Sequence, residues 1–89
     1  MKKVAPISDG FSWVLKQYRH KAGLTQEQVS ERVGVSPSFV GMLETGVKKP
    51  NLVMLFKLSQ ALGVPASTII TTLEEEWDKY AHSTPANRQ

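Results

Sequence analysis

Apolar residues in this chain recur three and four positions apart, in short runs broken by Gly, Ser, Thr, Asn or Pro. That spacing marks helices buried along one side, and no segment shows the strict alternation of a half-buried strand. Phe11, Val14, Leu15, Tyr18 and Ala22 form one stripe and predict a first helix from about Asp9 or Gly10 to Ala22, closed by Gly23. Val29 and Val33 share a face of a second helix, and Val40 with Leu43 makes the inner face of a third. Leu52, Leu55, Leu58 and Leu62 predict a fourth helix, stopped by Gly63. Pro65 opens a fifth containing Ile69, Ile70, Leu73, Trp77 and Tyr80. The expectation is an all-α chain: one compact bundle of about five helices.

Start and stop signals sharpen the middle of this pattern. Thr25 is an N-cap residue with Gln28 three positions on, the spacing of a capping box. Gly34 can close that helix in a left-handed conformation. Ser36 offers a second N-cap, and Pro37 suits the first helical position because its missing N–H would be unpaired there anyway. Gly46 ends the third helix. Two short capped helices joined by a three- or four-residue turn, spanning 25–45, have the geometry of a helix-turn-helix, which can deliver its second helix into the major groove of DNA. Small helical proteins of many functions contain such pairs, so cap spacing alone leaves the function open.

Charge placement adds direction. The total is +3, but residues 16–57 carry seven bases (Lys16, Arg19, Lys21, Arg32, Lys48, Lys49, Lys57) against Glu27, Glu31 and Glu44. From Ala66 onward the balance reverses, with Glu74, Glu75, Glu76 and Asp78 facing Lys79 and Arg88. A basic half favours a polyanion, and an acidic far end avoids the same duplex.

The stretch from about Leu15 to Ile70 resembles the Cro and phage-repressor type of helix-turn-helix, the XRE family. Arg19, Gly23-Leu24-Thr25-Gln26-Glu27, Val33-Gly34-Val35-Ser36, Leu43-Glu44-Thr45-Gly46, Pro50 and Leu58 through Ala61-Leu62-Gly63-Val64 carry the match. The resemblance implies a lambda-repressor-like bundle, with the second and third helices as the motif. It also implies a sequence-specific regulator of transcription that binds double-stranded DNA as a homodimer on a palindromic operator, with the 36–45 helix in the groove.

Carried over residue by residue, the resemblance makes Pro37, Ser38, Gly41 and Met42 base-facing, with Phe39 either reaching thymine methyls or supporting the core. Gln26, Thr45, Lys48 and Lys49 become phosphate contacts. Arg19 and Glu44 become a structural ion pair beneath the recognition helix. The base-facing set departs from relatives that use Gln, Arg or Asn for bidentate readout. Modest reading per half-site follows, with specificity leaning on half-site spacing and DNA deformability.

A helix reading three or four base pairs needs a second copy. Ile70, Leu73, Trp77 and Tyr80 are the candidate dimer surface, although Leu73 can equally close the core, and the two aromatics can cover one another or fold back on Trp13. A different class also fits: a protein-interaction module, antitoxin- or co-regulator-like, that docks a partner protein through the C-terminal helix.

The remaining readings are expected absences. Residues 1–8 read as a basic N-terminal arm, 9–82 as the single domain and 83–89 as a polar tail; Met1-Lys2-Lys3 leads into no apolar signal core. No cysteine is present, so there is no disulfide framework and no thiolate zinc site, which suits the cytoplasm. No apolar run approaches the roughly 18 residues of a membrane span. His20 and His82 lack zinc-site partners, and the Glu74-Glu75-Glu76 run points in different directions on a helix. No enzyme, cofactor, metal or small-molecule ligand is expected.

Overall fold

The computed structural model describes the backbone of residues 7–82 and the side chains of 10–79. The expected basic arm, apart from its last two residues, and the whole polar tail lie outside the described residues. Five helices and no strand occur among the residues described: α1 (Ile7–Lys21), α2 (Gln26–Val33), α3 (Pro37–Thr45), α4 (Leu52–Leu62) and α5 (Ala66–His82). α1 begins two or three residues earlier than the periodicity suggests and stops one earlier, leaving Ala22 exposed in the turn.

Local signals account for the helix ends. Thr25 Oγ1 accepts from the Gln28 backbone N–H at 3.0 Å while Gln28 Oε1 accepts from the Thr25 N–H at 2.9 Å, completing the capping box. Ser36 Oγ accepts from Phe39 N–H, and Asn51 Oδ1 accepts from Met54 N–H. Gly34 and Gly46 close α2 and α3 at φ 89° and 84°, a region that strains any residue with a Cβ. These two glycines keep the motif short.

Packing then joins the pieces. Phe11, Val14, Leu15, Val29, Val33, Val40, Leu43, Leu55, Leu58, Ala61, Leu62 and Ile69 form one buried cluster drawn from all five helices. Tyr18, Phe39 and Leu73 pack against it while remaining partly exposed. Thr72 gives its hydroxyl proton to the Thr68 carbonyl, so Tyr18 is the donor in the 2.7 Å bond that ties α1 to α5. Arg32 of α2 donates to the Ala61 carbonyl at 2.9 Å, satisfying part of the C-terminal end of α4.

One apolar position departs from the expected stripe. Leu52 is 69 % exposed, and Val53 and Phe56 beside it are more than half exposed. Side chains in a helix lean toward its N-terminus, so a first-turn residue overhangs the preceding loop instead of the core. The buried side of α4 therefore starts at Leu55, with Met54 half-buried beside it.

Candidate nucleic-acid interface

α2 and α3 bring their N-terminal ends to one side of the molecule. An open groove lined by Arg19, Leu24, Thr25, Gln26 and Pro37, among others, runs between the end of α1 and these two starts. Helix N-termini expose unpaired backbone N–H groups and the positive end of the helix dipole, which suits an anion lying across them.

α3 turns Val40 and Leu43 into the core. Its first two residues, Pro37 and Ser38, are exposed, and Gly41 and Met42 are half-exposed. Pro37 and Gly41, four residues apart, share one side of the helix. Phe39 is half-buried and packs against the core, so its ring has a structural job whatever else it meets. Thr45 is exposed; its hydroxyl donates to the Met42 carbonyl at 3.3 Å and must release that bond to donate elsewhere. Lys48 and Lys49 are exposed in the loop after α3, with the Lys48 backbone N–H anchored on the same Met42 carbonyl at 3.1 Å.

Beneath α3 sits the pair expected from Arg19 and Glu44. Arg19 Nε donates to Glu44 Oε2 at 2.6 Å and Arg19 Nη2 to Oε1 at 3.0 Å, a bidentate fork. Arg19 Nη1 also donates to the Leu24 carbonyl at 2.9 Å, which fixes the turn leading into α2. The Glu44 side chain is 1 % exposed and that of Arg19 11 %. Burial pushes the Glu44 carboxyl up. Hydrogen bonds from Arg19 and Gln26, with the charges of Arg19 and Lys16, outweigh that and hold it below the usual carboxylate range. The bond to Glu44 raises Arg19 further, against a smaller opposing effect of burial.

Sequence reasoning missed the third donor. Gln26 Nε2 donates to Glu44 Oε1 at 3.0 Å, so a residue expected only to touch phosphate also belongs to the buried network. Nothing in the spacing of positions 26 and 44 signals this, because they meet only once α2 and α3 are packed.

The candidate dimer residues lie on α5. Ile70 and Trp77, seven apart on α5, are 38 % and 44 % exposed, whereas Leu73 between them is half-buried and packs on the core. Trp13 is exposed on α1. Tyr80 lies outside the residues whose side chains are described. Among the described residues no group of three or more His, Asp or Glu side chains could hold a metal ion, and no single helix is long and apolar enough to cross a membrane.

Comparison with known proteins is consistent with this geometry. A helix-turn-helix family model matches residues 15–69. The HTH-type transcriptional regulator y4dJ of Sinorhizobium fredii is 40 % identical over 57 residues, covering 64 % of this chain and 74 % of that protein. An HTH-type transcriptional regulator of Methanothermobacter thermautotrophicus is 35 % identical over 66 residues, covering 74 % of this chain and 96 % of its own length. Among solved structures, the restriction-modification controller protein C.AhdI from Aeromonas hydrophila superposes with a TM-score of 0.66 at 31 % identity, over 68 % of this chain and 92 % of that one. The clp gene regulator ClgR from Corynebacterium glutamicum reaches a TM-score of 0.81 at 21 % identity, over 94 % of this chain and 90 % of that one, a likeness of fold.

Proposed function

This chain belongs to the XRE-type helix-turn-helix family of DNA-binding transcriptional regulators, and from that premise we propose that it acts as a homodimer on a two-fold-symmetric operator. α3 lies in the major groove of each half-site, with Pro37, Ser38, Gly41 and Met42 toward the bases. Gln26, Thr45, Lys48 and Lys49 hold phosphates on either side. The second copy docks through the α5 surface of Ile70 and Trp77, with Leu73 half-buried between them. The protein works in the cytoplasm, where its DNA is.

The observation that carries this reading is the shared exposure of the N-terminal ends of α2 and α3 on one side, with Lys48 and Lys49 exposed in the loop that follows α3. Sequence-neutral contacts of that kind provide most of the affinity, and the few base-facing side chains provide the choice of site. Ser38 can bond more than one base and Met42 can press on a thymine methyl, so each half-site reads few positions strictly.

Selection of bound duplexes from a random pool, followed by affinity measurement from about 50 to 200 mM salt, tests the reading. A recovered two-fold motif and a steep loss of affinity with salt support it. A pool that yields no motif, with only weak binding erased by salt, favours docking of a partner protein instead. The exposed Leu52, Val53 and Phe56 on α4, together with Ile70 and Trp77 on α5, are the observation behind that second reading.

A further inference from the structure

Gln26 occupies a position that the DNA-binding reading assigns to phosphate contact, yet one of its amide hydrogens is already engaged inside the protein. Its Nε2 donates to Glu44 Oε1 at 3.0 Å, the same oxygen that takes a hydrogen bond from Arg19 Nη2. A primary amide is nearly symmetric in shape, and half a turn about its last bond exchanges the donor end for the acceptor end. Facing a phosphate, which only accepts, one orientation attracts and the other repels.

An ionised carboxylate also only accepts, so Glu44 admits one of the two orientations. The amino end must lie at Glu44, and its second N–H remains free to donate. Glu44 is ionised in the folded protein, because Arg19 and Gln26 hold its carboxyl below the usual range. Arg19 also compensates the negative charge, so a carboxylate can stand behind the amide without repelling a phosphate in front of it.

α3 supplies the seat. A Cβ at Gly41 would stand 3.8 and 3.9 Å from Gln26 Oε1 and Nε2, which puts the amide directly beside the helix where no side chain intervenes. The Gln26 side chain is thus held from behind by Glu44 and flanked by Gly41, instead of sweeping freely through solvent.

Building on the DNA-binding reading, the structure assigns Glu44 a positioning role: through Gln26 it fixes which end of an amide meets a DNA phosphate. Glu44 does not touch DNA itself. Its contribution is to remove the wrong orientation of Gln26 before binding, so that ordering cost is not met on the duplex.

The test uses the duplex recovered by selection, prepared with a single neutral methylphosphonate at each phosphate of one half-site in turn. With the unsubstituted protein, one position is expected to lose about tenfold in affinity through the Gln26 contact, the scale of one hydrogen bond to a charged group. Gln26→Ala should abolish the penalty at that position, while Glu44→Gln, whose own amide can present either end, should shrink it by about twofold or more. Both should leave the other penalties intact, and the double variant should match Gln26→Ala there. A Glu44→Gln protein that binds every duplex more weakly but keeps the Gln26 penalty overturns the proposal, since that is what mere loosening of the fold would do. Should Glu44→Gln fail to fold, side-chain amide NMR of the unsubstituted protein without DNA decides. One Gln26 amide hydrogen must exchange with solvent much more slowly than those of exposed Gln28 and Gln60, and equal exchange overturns the proposal. If no duplex is ever selected, the DNA-binding reading and this one fall together, whereas a selected duplex with no Gln26-dependent phosphate removes this one alone.

Discussion

Arg19 on α1 and Glu44 on α3, 25 residues apart in sequence, meet through a two-pronged ion pair of 2.6 and 3.0 Å whose carboxylate is shut away from solvent. The pair joins the helix that begins the bundle to the helix proposed to read DNA, tying α3 to α1. Removing one partner leaves a buried charge unmatched. Glu44→Ala is therefore expected to destabilise the fold by about 3–5 kcal/mol. For a chain of this size that lowers Tm by on the order of 15 °C or more, read by circular dichroism. An unchanged Tm would show that the pair contributes nothing to the fold.

Acid should weaken the protein through the same carboxyl. The Glu44 value is depressed in the folded state, so its contribution is fully present above the ordinary glutamate value of about 4.3 and is lost as pH falls through the lower folded value. Chemical denaturation at a series of acid pH values should show stability declining across that interval. Glu44→Gln should flatten this part of the profile, and an identical acid limb in the variant would assign the decline to other groups.

Gly41→Ala separates stability from binding. Gly41 is helical, and the added methyl would meet Gln26 at ordinary contact distance. Replacing a mid-helix Gly by Ala should stabilise the fold by about 0.5–1 kcal/mol. On the proposed DNA face the methyl stands where backbone approaches the duplex, so affinity for the selected site should fall. Thermal melts and binding titrations moving in opposite directions would support the placement of Gly41, and binding that rises with Tm would remove it from the interface.

Lys48 and Lys49 are proposed to act through charge alone. Each Lys→Ala change should weaken binding to selected and random duplexes by similar factors and reduce the slope of log K against log salt by roughly 1. A change in sequence preference, with the slope intact, would mean that these lysines read bases.

Two exposed apolar surfaces are candidates for the proposed dimer contact, and one charge on each decides between them. Trp77→Glu on α5 should shift sedimentation toward monomer while leaving Tm within a few degrees, because Trp77 is 44 % exposed in the isolated chain. Phe56→Glu on α4 should leave self-association unchanged. The reverse pattern would move the dimer surface to α4.

The features legible in the order of residues are local ones. Capping residues act within four positions of themselves, and a Gly that must take positive φ acts on its own backbone. Thr25, Gln28, Gly34, Ser36, Pro37 and Gly46 therefore mark the limits of α2 and α3 before any packing is known. The buried residues of the motif follow from helical periodicity, which is equally local. Resemblance brought Arg19 and Glu44 together, a pairing that neither spacing nor composition implies. Packing of helix against helix brings Gln26 into their network and leans Phe39 on the core. Each of these depends on where a second helix lies, and a side chain's partner across a helix interface is set by the crossing of two elements rather than by the order of residues in either.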